Sequence, residues 1–250
     1  MRAKLDPLLR RVPSALLVLA VFLLLITASV TYAVNELRLY GYGFDKWDIS
    51  LKTGIDRDEL TSIARQIRAY FNSHSEPLEI RATIFSEERD LFNRREIVHM
   101  KDVKHLIWGV YVVGGLSLAY LLGRIAYGFW RRGRSYAQLL AGDLLWGSGV
   151  TVGFVVGVGL AALVGFDRLF LFFHQVSFAN DFWMLDPRTD YLVILFPEGF
   201  WYDATMFVGL LAVMGAVVIG SASGGYLAAR HIRGKGDAHQ DGVSSRDKMD

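Results

Sequence analysis

Four long apolar runs dominate the hydropathy pattern of the chain. They cover residues 12–35, 105–130, 144–166 and 204–229. The hydrocarbon core of a bilayer is about 30 Å thick and needs roughly 20 apolar residues in helical form, so each run is long enough to cross it. Helix is expected because backbone polar groups in lipid must be satisfied within their own segment. The pattern therefore predicts a membrane α-helical fold with four transmembrane helices.

The first run also has features of a cleavable signal peptide. Arg10 and Arg11 precede it, and Thr31, Tyr32 and Ala33 stand near its end. The apolar core of a signal peptide usually has about 7 to 15 residues, and this run is longer. Its length favours a retained transmembrane helix, with a cleaved signal as the alternative.

The segment 36–104 is too long for a simple connection and is expected to carry structure of its own. Leu60, Ile63 and Ile67 recur with helical spacing, which predicts a helix. Apolar and polar residues alternate over 78–84, which predicts a short strand. We expect this segment, called the cap below, to form a small α+β unit on the extracytoplasmic face.

Three further segments separate or follow the runs. The segment 167–203 mixes many aromatic residues with Asp, Asn and His, and is predicted to be an extracytoplasmic loop lying in the membrane interface. The segment 131–143 is predicted to be a cytoplasmic loop. Residues 230–250 are polar and lack periodicity, so a disordered cytoplasmic tail is expected.

The distribution of basic residues predicts the orientation in the membrane. Short cytoplasmic segments are enriched in Lys and Arg. Such residues cluster before the first run, between the second and third runs, and after the fourth: Arg2, Lys4, Arg10 and Arg11; Arg124, Arg131, Arg132 and Arg134; Arg230, Arg233 and Lys235. Both termini are therefore expected in the cytoplasm, which places 36–104 and 167–203 outside.

Composition narrows the function classes. Hydrophobic residues make up 52% of the 250 residues, as expected of a protein whose main partner is the phospholipid bilayer. The formal net charge of +2 gives no indication of nucleic-acid binding. The chain contains no cysteine, which excludes disulfides, thiol catalysis and thiolate metal ligands.

Two of the histidines predicted to lie outside stand at headgroup depth. His99 precedes the second run, and His174 follows the third. Imidazole suits proton transfer near neutral pH. Glu96 and Asp102 share a helical face with His99 by i, i+3 spacing, so Asp102 could hold the imidazole tautomer. Asp102 could equally pair with His105 or a lysine, and the bland alternative is a solvated helix face with ion pairs.

The pair Glu96-x-x-His99 also matches half of the ligand set in di-iron helical bundles. The second such unit is missing, and we therefore predict no metal site. Glycine ladders at Gly149, Gly153 and Gly157 in the third run, and at Gly220 and Gly224 in the fourth, predict close helix packing.

Two segments resemble signatures of the bacterial lipoprotein intramolecular transacylases. One is EIVHMKDVK at 96–104, before the second run. The other is FHQVSFANDFW at 173–183, followed by LDP, DYL and FPE within 185–198. Their order and the four-run layout are also similar, and the resemblance covers about residues 12–228.

The resemblance implies an intramolecular acyltransferase. Such an enzyme moves the sn-2 acyl chain of a diacylglyceryl-cysteine lipoprotein to that protein's own N-terminal α-amino group, giving a lyso-form lipoprotein. The essential histidines of the family correspond to His99 and His174. Turning an ester and an amine into an amide is downhill, so no cofactor is expected. The alternative is a non-enzymatic membrane sensor or ligand-binding protein. Oligomeric state is not predicted.

Specific roles follow as hypotheses. An α-amino group has a pKa near 7.7–8.0, so a general base must remove a proton before attack. We expect His174 to be that base and His99, oriented by Asp102, to be the acid or oxyanion partner, although the roles could be reversed. Asn180 and Tyr40 are weaker candidates for substrate binding.

Overall fold

The computed structural model describes residues 7–246, and the side chains from 11 to 233. Eight α-helices and a two-stranded sheet are present in this part of the chain. They run in the order α1 (Pro7–Asn35), α2 (Leu37–Lys46), α3 (Ile49–Thr53), α4 (Arg57–Phe71), β1 (Arg81–Ile84), β2 (Glu87–Asp90), α5 (Arg94–Arg132), α6 (Tyr136–Ser177), α7 (Tyr191–Leu195) and α8 (Glu198–Arg246).

Three helical stretches are long and apolar enough to cross a membrane. They are Arg11–Asn35, Arg94–Ser177 and Glu198–Arg233, and the second contains both α5 and α6. Many of their apolar side chains face outward, as Leu116 and Val164 do with exposures of 67% and 89%. Such a surface suits lipid, so the membrane α-helical class is confirmed. The count of four crossings stays a prediction.

The chain divides into two compact units. One comprises residues 26–114 and 155–211. Its core is formed by apolar side chains from the cap and from the segment that contains α7, among them Phe44, Ile63, Ile84, Leu195 and Phe196. The predicted helix is confirmed as α4, which begins after the N-cap residue Asp56. The predicted strand is confirmed in part as β1, which pairs antiparallel with β2.

The other unit contains the described residues up to 25, residues 115–154, and those from 212 onward. Its helices approach closely where small residues meet larger ones: a Cβ on Gly147 would lie 2.7 Å from Val21, and one on Gly220 would lie 3.3 Å from Ser148. The prediction for Gly149 and Gly153 is wrong. No described atom outside their own helix lies within 4 Å of a Cβ built at either position, because both point away from the contact that Gly147 makes.

Helix extends into segments that were predicted to be loops. The predicted loop 131–143 is mostly helical, and only the 3-10 turn Gly133–Ser135 separates α5 from α6. Within 167–203, α6 runs to Ser177 after a kink at Gly165, whose backbone is non-helical, and α8 already begins at Glu198. Elongating an existing helix avoids the cost of nucleation, which explains why α5 and α8 extend beyond their apolar runs.

The second long helix and the C-terminal helix also extend beyond their predicted bounds. The helix predicted to start at 105 begins at Arg94, inside the predicted cap segment. The tail 230–250 was predicted to be disordered, but α8 continues to Arg246. Residues 247–250 lie outside the described part.

Candidate active site

The structure brings His99 and His174 together. His99 lies in the second turn of α5, and His174 lies one turn before the end of α6. Their ring centroids are 6.0 Å apart, with an angle of 32° between the ring planes. Both are buried, with exposures of 6% and 8%. Two imidazoles from distant parts of the sequence therefore share one buried site.

Aromatic rings enclose both imidazoles. The ring of Phe178 lies 5.0 Å from His99 and 5.6 Å from His174, edge-on to the first. Phe170 and Trp183 approach His174 at 4.4 and 5.2 Å. These residues keep bulk water away from the imidazoles, which strengthens electrostatic interactions within the site.

A backbone hydrogen bond defines the tautomer of His174. Its Nδ1 lies 2.8 Å from the carbonyl oxygen of Phe170, one turn earlier in α6. A carbonyl only accepts, so Nδ1 must carry the proton. The neutral ring then has its lone pair on Nε2. His174 is thus held with one fixed donor and one nitrogen available as a base.

His99 lacks a comparable fixed partner. Its Nδ1 is buried and has no hydrogen-bond partner among the described residues. A buried polar atom left unpaired is costly, and such atoms in native proteins call for an explanation. The ring of His99 lies 6.0 Å from that of His174, so the unpaired nitrogen belongs to the same buried site.

Asp102 reaches the site through Asn180, and no hydrogen bond to His99 is formed in the described part of the chain. The Nδ2 of Asn180 donates to Oδ2 of Asp102 over 2.8 Å, and Oδ1 of Asn180 accepts from the backbone of Phe182. The side chain of Asp102 is therefore bonded to the loop, and its predicted role towards the imidazole of His99 stays a prediction. A carboxylate on α5 fixes the loop that follows α6.

A second contact fixes the same loop from the other side of His99. Arg95, one turn before His99, donates from Nη2 to the carbonyl oxygen of Asp181 over 2.5 Å. Arg95 and Asp102 thus flank His99 on α5 and attach to neighbouring loop residues. The loop from 178 to 183 is held over the imidazoles at two points.

The carboxylate of Glu96 makes structural hydrogen bonds to backbone groups. Its carboxylate accepts from the backbone N–H of Asn93 over 2.7 Å and from that of Leu192 over 2.6 Å, while Asn93 caps the helix in return through the N–H of Glu96. This reciprocal pattern is a capping box, which starts α5. Both oxygens of Glu96 are therefore engaged, Oε2 in the cap of α5 and Oε1 in connecting α5 to α7. Among the described residues, no group of three His, Asp or Glu side chains is arranged as metal ligands.

Comparisons with known proteins identify the family. The family model described as "Lipoprotein intramolecular transacylase Lit" matches residues 15–201, about three quarters of the chain. The chain belongs to the Lit family. It is therefore an acyltransferase of the integral-membrane type, which decides against the non-enzymatic alternative.

Solved structures share the fold. The integral membrane Lit of Bacillus cereus superposes with a TM-score of 0.75 at 19% identity, covering 91% of this chain and all of that one. A point mutant of the same protein gives a TM-score of 0.70 at 18% identity, covering 90% and 94%. An uncharacterized protein of Aquifex aeolicus is 23% identical over 228 residues, which are 87% of this chain and 98% of that protein.

Tyr40 does not lie with the other candidates in this Lit-family chain. Its hydroxyl donates to the carbonyl oxygen of Val34 over 2.8 Å, and its ring packs against Phe196 and Phe200. Burial raises the pKa of the Tyr40 hydroxyl. The side chain is thus engaged within a hydrophobic core, and its predicted substrate-binding role stays a prediction.

Several site residues were not predicted from the sequence. Arg95 carries a signal that could have been used, since it stands four residues before His99 and so shares its helical face. Trp183 and Phe178 fall inside the segment that resembles the family, yet nothing in their spacing separates them from ordinary interfacial aromatics. Only the path of the loop brings them to the imidazoles.

Proposed function

We propose that His99 and His174 together catalyse acyl transfer within a diacylglyceryl-cysteine lipoprotein, from the sn-2 oxygen of the glycerol to the protein's own N-terminal nitrogen. The observation that carries this proposal is the buried pair of imidazoles, 6.0 Å apart. General acid–base catalysis needs positioned groups that exchange protons near neutral pH, and imidazole is the usual choice.

His174 is the better general base of the two. Its Nδ1–H is bonded to the carbonyl of Phe170, which leaves the lone pair of the neutral ring on Nε2. Nε2 takes a proton as the α-amino nitrogen attacks the ester carbonyl carbon. A carbon–nitrogen bond forms, and the carbonyl oxygen becomes an oxyanion.

His99 completes the transfer. His174 first passes its proton to His99, whose ring is neutral at rest and now becomes the acid. Collapse of the tetrahedral intermediate breaks the bond between the carbonyl carbon and the sn-2 oxygen, and the leaving oxygen takes a proton from the charged His99. The products are an amide and a glycerol hydroxyl. One proton enters the pair and one leaves it, so the pair returns to its starting state.

The membrane arrangement is part of the proposal. Helices α1, α5, α6 and α8 each cross the bilayer, both termini are cytoplasmic, and the imidazoles lie towards the outer face. The basic residues in the turn between α5 and α6, Arg131, Arg132 and Arg134, support this orientation. The acyl chains of the substrate then stay in the outer leaflet during transfer.

The test uses single substitutions at each histidine. His99→Ala and His174→Ala are each expected to lower turnover of a synthetic diacylated lipopeptide by about 10²- to 10⁴-fold, the usual contribution of a positioned acid or base. His105→Ala is the matched control, because His105 is exposed on the same helix as His99. Mass spectrometry of the lipopeptide N-terminus measures product. Lyso-form product at the wild-type rate from either variant would remove that histidine from the mechanism.

A further inference from the structure

A groove of about 750 Å³ lies between β2 and the first turns of α5. Its lining includes Arg89 and Asp90 from the strand, Val98 from α5, and Tyr191 from α7. Val98 directly precedes His99 in the helix. At a rise of 1.5 Å per residue, the groove therefore reaches the level of the proposed acid along α5.

Contacts between neighbouring elements hold the walls of this groove in place. Arg89 donates to the hydroxyl of Tyr191 over 2.6 Å and stacks 5.3 Å above its ring. Asn93 donates to Asp190 over 2.9 Å. A groove formed before its ligand arrives saves the cost of ordering on binding.

The strand beside the groove has an open edge. The backbone N–H of Leu91 donates to Ile80 over 2.9 Å, which marks 80 and 91 as a hydrogen-bonded pair. Antiparallel pairs alternate, so the backbone groups of Glu88 and Asp90 point away from β1. In the described residues the sheet has two strands, and nothing pairs with this side of β2.

The opposite edge of the sheet is already occupied. The backbone N–H of Thr83 on β1 donates to the carboxylate of Glu59 on α4, over 2.8 Å. A side chain that caps an edge prevents another strand from adding there. Among the described residues, the outer edge of β2 is left for an incoming strand, and Arg89 and Asp90 of that strand line the groove.

We propose that this groove binds the polypeptide segment following the acylated cysteine of the substrate, as an extended strand on the open edge of β2. The inference rests on the proposed function. The cysteine supplies the attacking nitrogen, so its following residues must leave the site, and their polar backbone cannot enter lipid. Pairing through backbone groups recognises a strand irrespective of its side chains, which suits substrates of differing sequence.

Peptide length and backbone methylation test the inference with an unaltered enzyme. A lipopeptide with an eight-residue Ser/Gly extension is expected to show a KM about tenfold below that of a minimal diacylglyceryl-cysteine amide, because two or three backbone hydrogen bonds are gained. N-methylation at alternate residues of the extension should remove the gain in one register and keep it in the other. Equal KM values for both lengths, or equal effects of both methylation registers, would overturn the inference.

A variant pair locates the effect in the groove. Thr189 lines the groove and is exposed, so Thr189→Trp should raise the KM of the extended substrate while turnover of the minimal one is kept. Arg188→Trp is the control, since Arg188 is the exposed neighbour and is absent from the lining. The same KM change in both variants would count against the groove. If the wild-type enzyme did not turn over even the minimal substrate, that result would contradict the proposed function and, with it, this inference.

Discussion

At the residue scale, the surroundings of the two imidazoles are held in place in different ways. His174 is oriented by its own helix, through the carbonyl of Phe170. Around His99, the structure instead fixes the neighbouring loop, through Asp102 on one side and Arg95 on the other. We infer that Asp102 is a positioning residue, since its hydrogen bond goes to Asn180 in the loop that covers the imidazoles.

A reciprocal swap distinguishes this positioning role from a direct action on His99. Asn180→Asp alone sets two carboxylates against each other and should lower kcat by about 10- to 100-fold, as loss of a charge-assisted hydrogen bond suggests. The double variant D102N/N180D can form the bond in the opposite sense and still accept the N–H of Phe182, so most activity should return. Lipopeptide turnover measures both.

The outcome of the swap is informative in either direction. If a carboxylate at position 102 were needed to hold the imidazole tautomer, the double variant would be as inactive as Asp102→Asn alone or worse. Coupling between contacting residues of this kind is what a double-mutant cycle measures. Recovery in the double variant would place the effect of Asp102 in the loop.

Sequence reasoning found the two histidines but not the groups that surround them. His99 and His174 stand out because imidazoles at headgroup depth are unusual, and the segments around them resemble a family. The partner of Asp102 could not be found in this way. Helical spacing places Asp102 on the same helical face as His99. Its actual hydrogen-bond partner, Asn180, lies in a loop whose path leaves no periodic signal in the sequence.

At the element scale, a network around Lys104 attaches α5 to the segment that follows α4. Lys104 is 4% exposed, and its ammonium donates to the carbonyl of Ser75 over 2.7 Å and to Glu76 over 3.2 Å. It also lies 4.0 Å from the ring of Tyr70, whose hydroxyl donates to Glu76. Burying the charged side chain of Lys104 is favourable only because all of these partners are present.

The network predicts an acid-dependent part of stability. Burial opposes ionisation of Glu76, but hydrogen bonds from Tyr70 and Lys104 outweigh it and lower the pKa of Glu76. A carboxyl with a lowered folded pKa contributes stability above its unfolded pKa of about 4.3, and that contribution disappears as the pH falls through the folded value. The difference in Tm between wild type and Glu76→Gln should be full at about pH 6 and close towards about pH 3.

Thermal unfolding in detergent at a series of pH values is the measurement. Glu79→Gln serves as the control, because Glu79 is an exposed carboxylate nearby in the same segment. If the Tm difference between wild type and Glu76→Gln stayed constant with pH, the ionised form of Glu76 would not be what stabilises the fold.

Helix boundaries were the least predictable feature at this scale. Apolar runs mark where a helix meets lipid, and they predicted the start of the second long helix at residue 105. The helix begins at Arg94 instead, because Asn93 and Glu96 form a capping box there. The sequence contains that signal, but the cap residue is a single Asn among many polar residues of the segment.

At the scale of the whole molecule, the proposed orientation can be measured directly because the chain contains no cysteine. Ser86→Cys places a thiol at the turn between β1 and β2, and Ser135→Cys places one in the turn between α5 and α6. A membrane-impermeant maleimide should label position 86 in intact cells. It should label position 135 only after permeabilisation.

Wild-type protein gives the background of this experiment, since it has no thiol to label. Labelling of both positions in intact cells would mean that α5 does not cross the bilayer, and would remove the outer-face placement from the proposal. The membrane class and the family do not depend on this result, because they follow from helix composition and from the match over residues 15–201.

The bond between His174 and Phe170 has a consequence for sequence drift among distant relatives. Its acceptor is a main-chain oxygen, so no substitution at position 170 can delete it as long as the turn remains helical. The surrounding rings can therefore be exchanged during evolution without changing which nitrogen of His174 carries the proton. Under the proposed function, divergence in the lining would then retune which acyl chains are accepted, and the proton-transfer chemistry would be inherited intact.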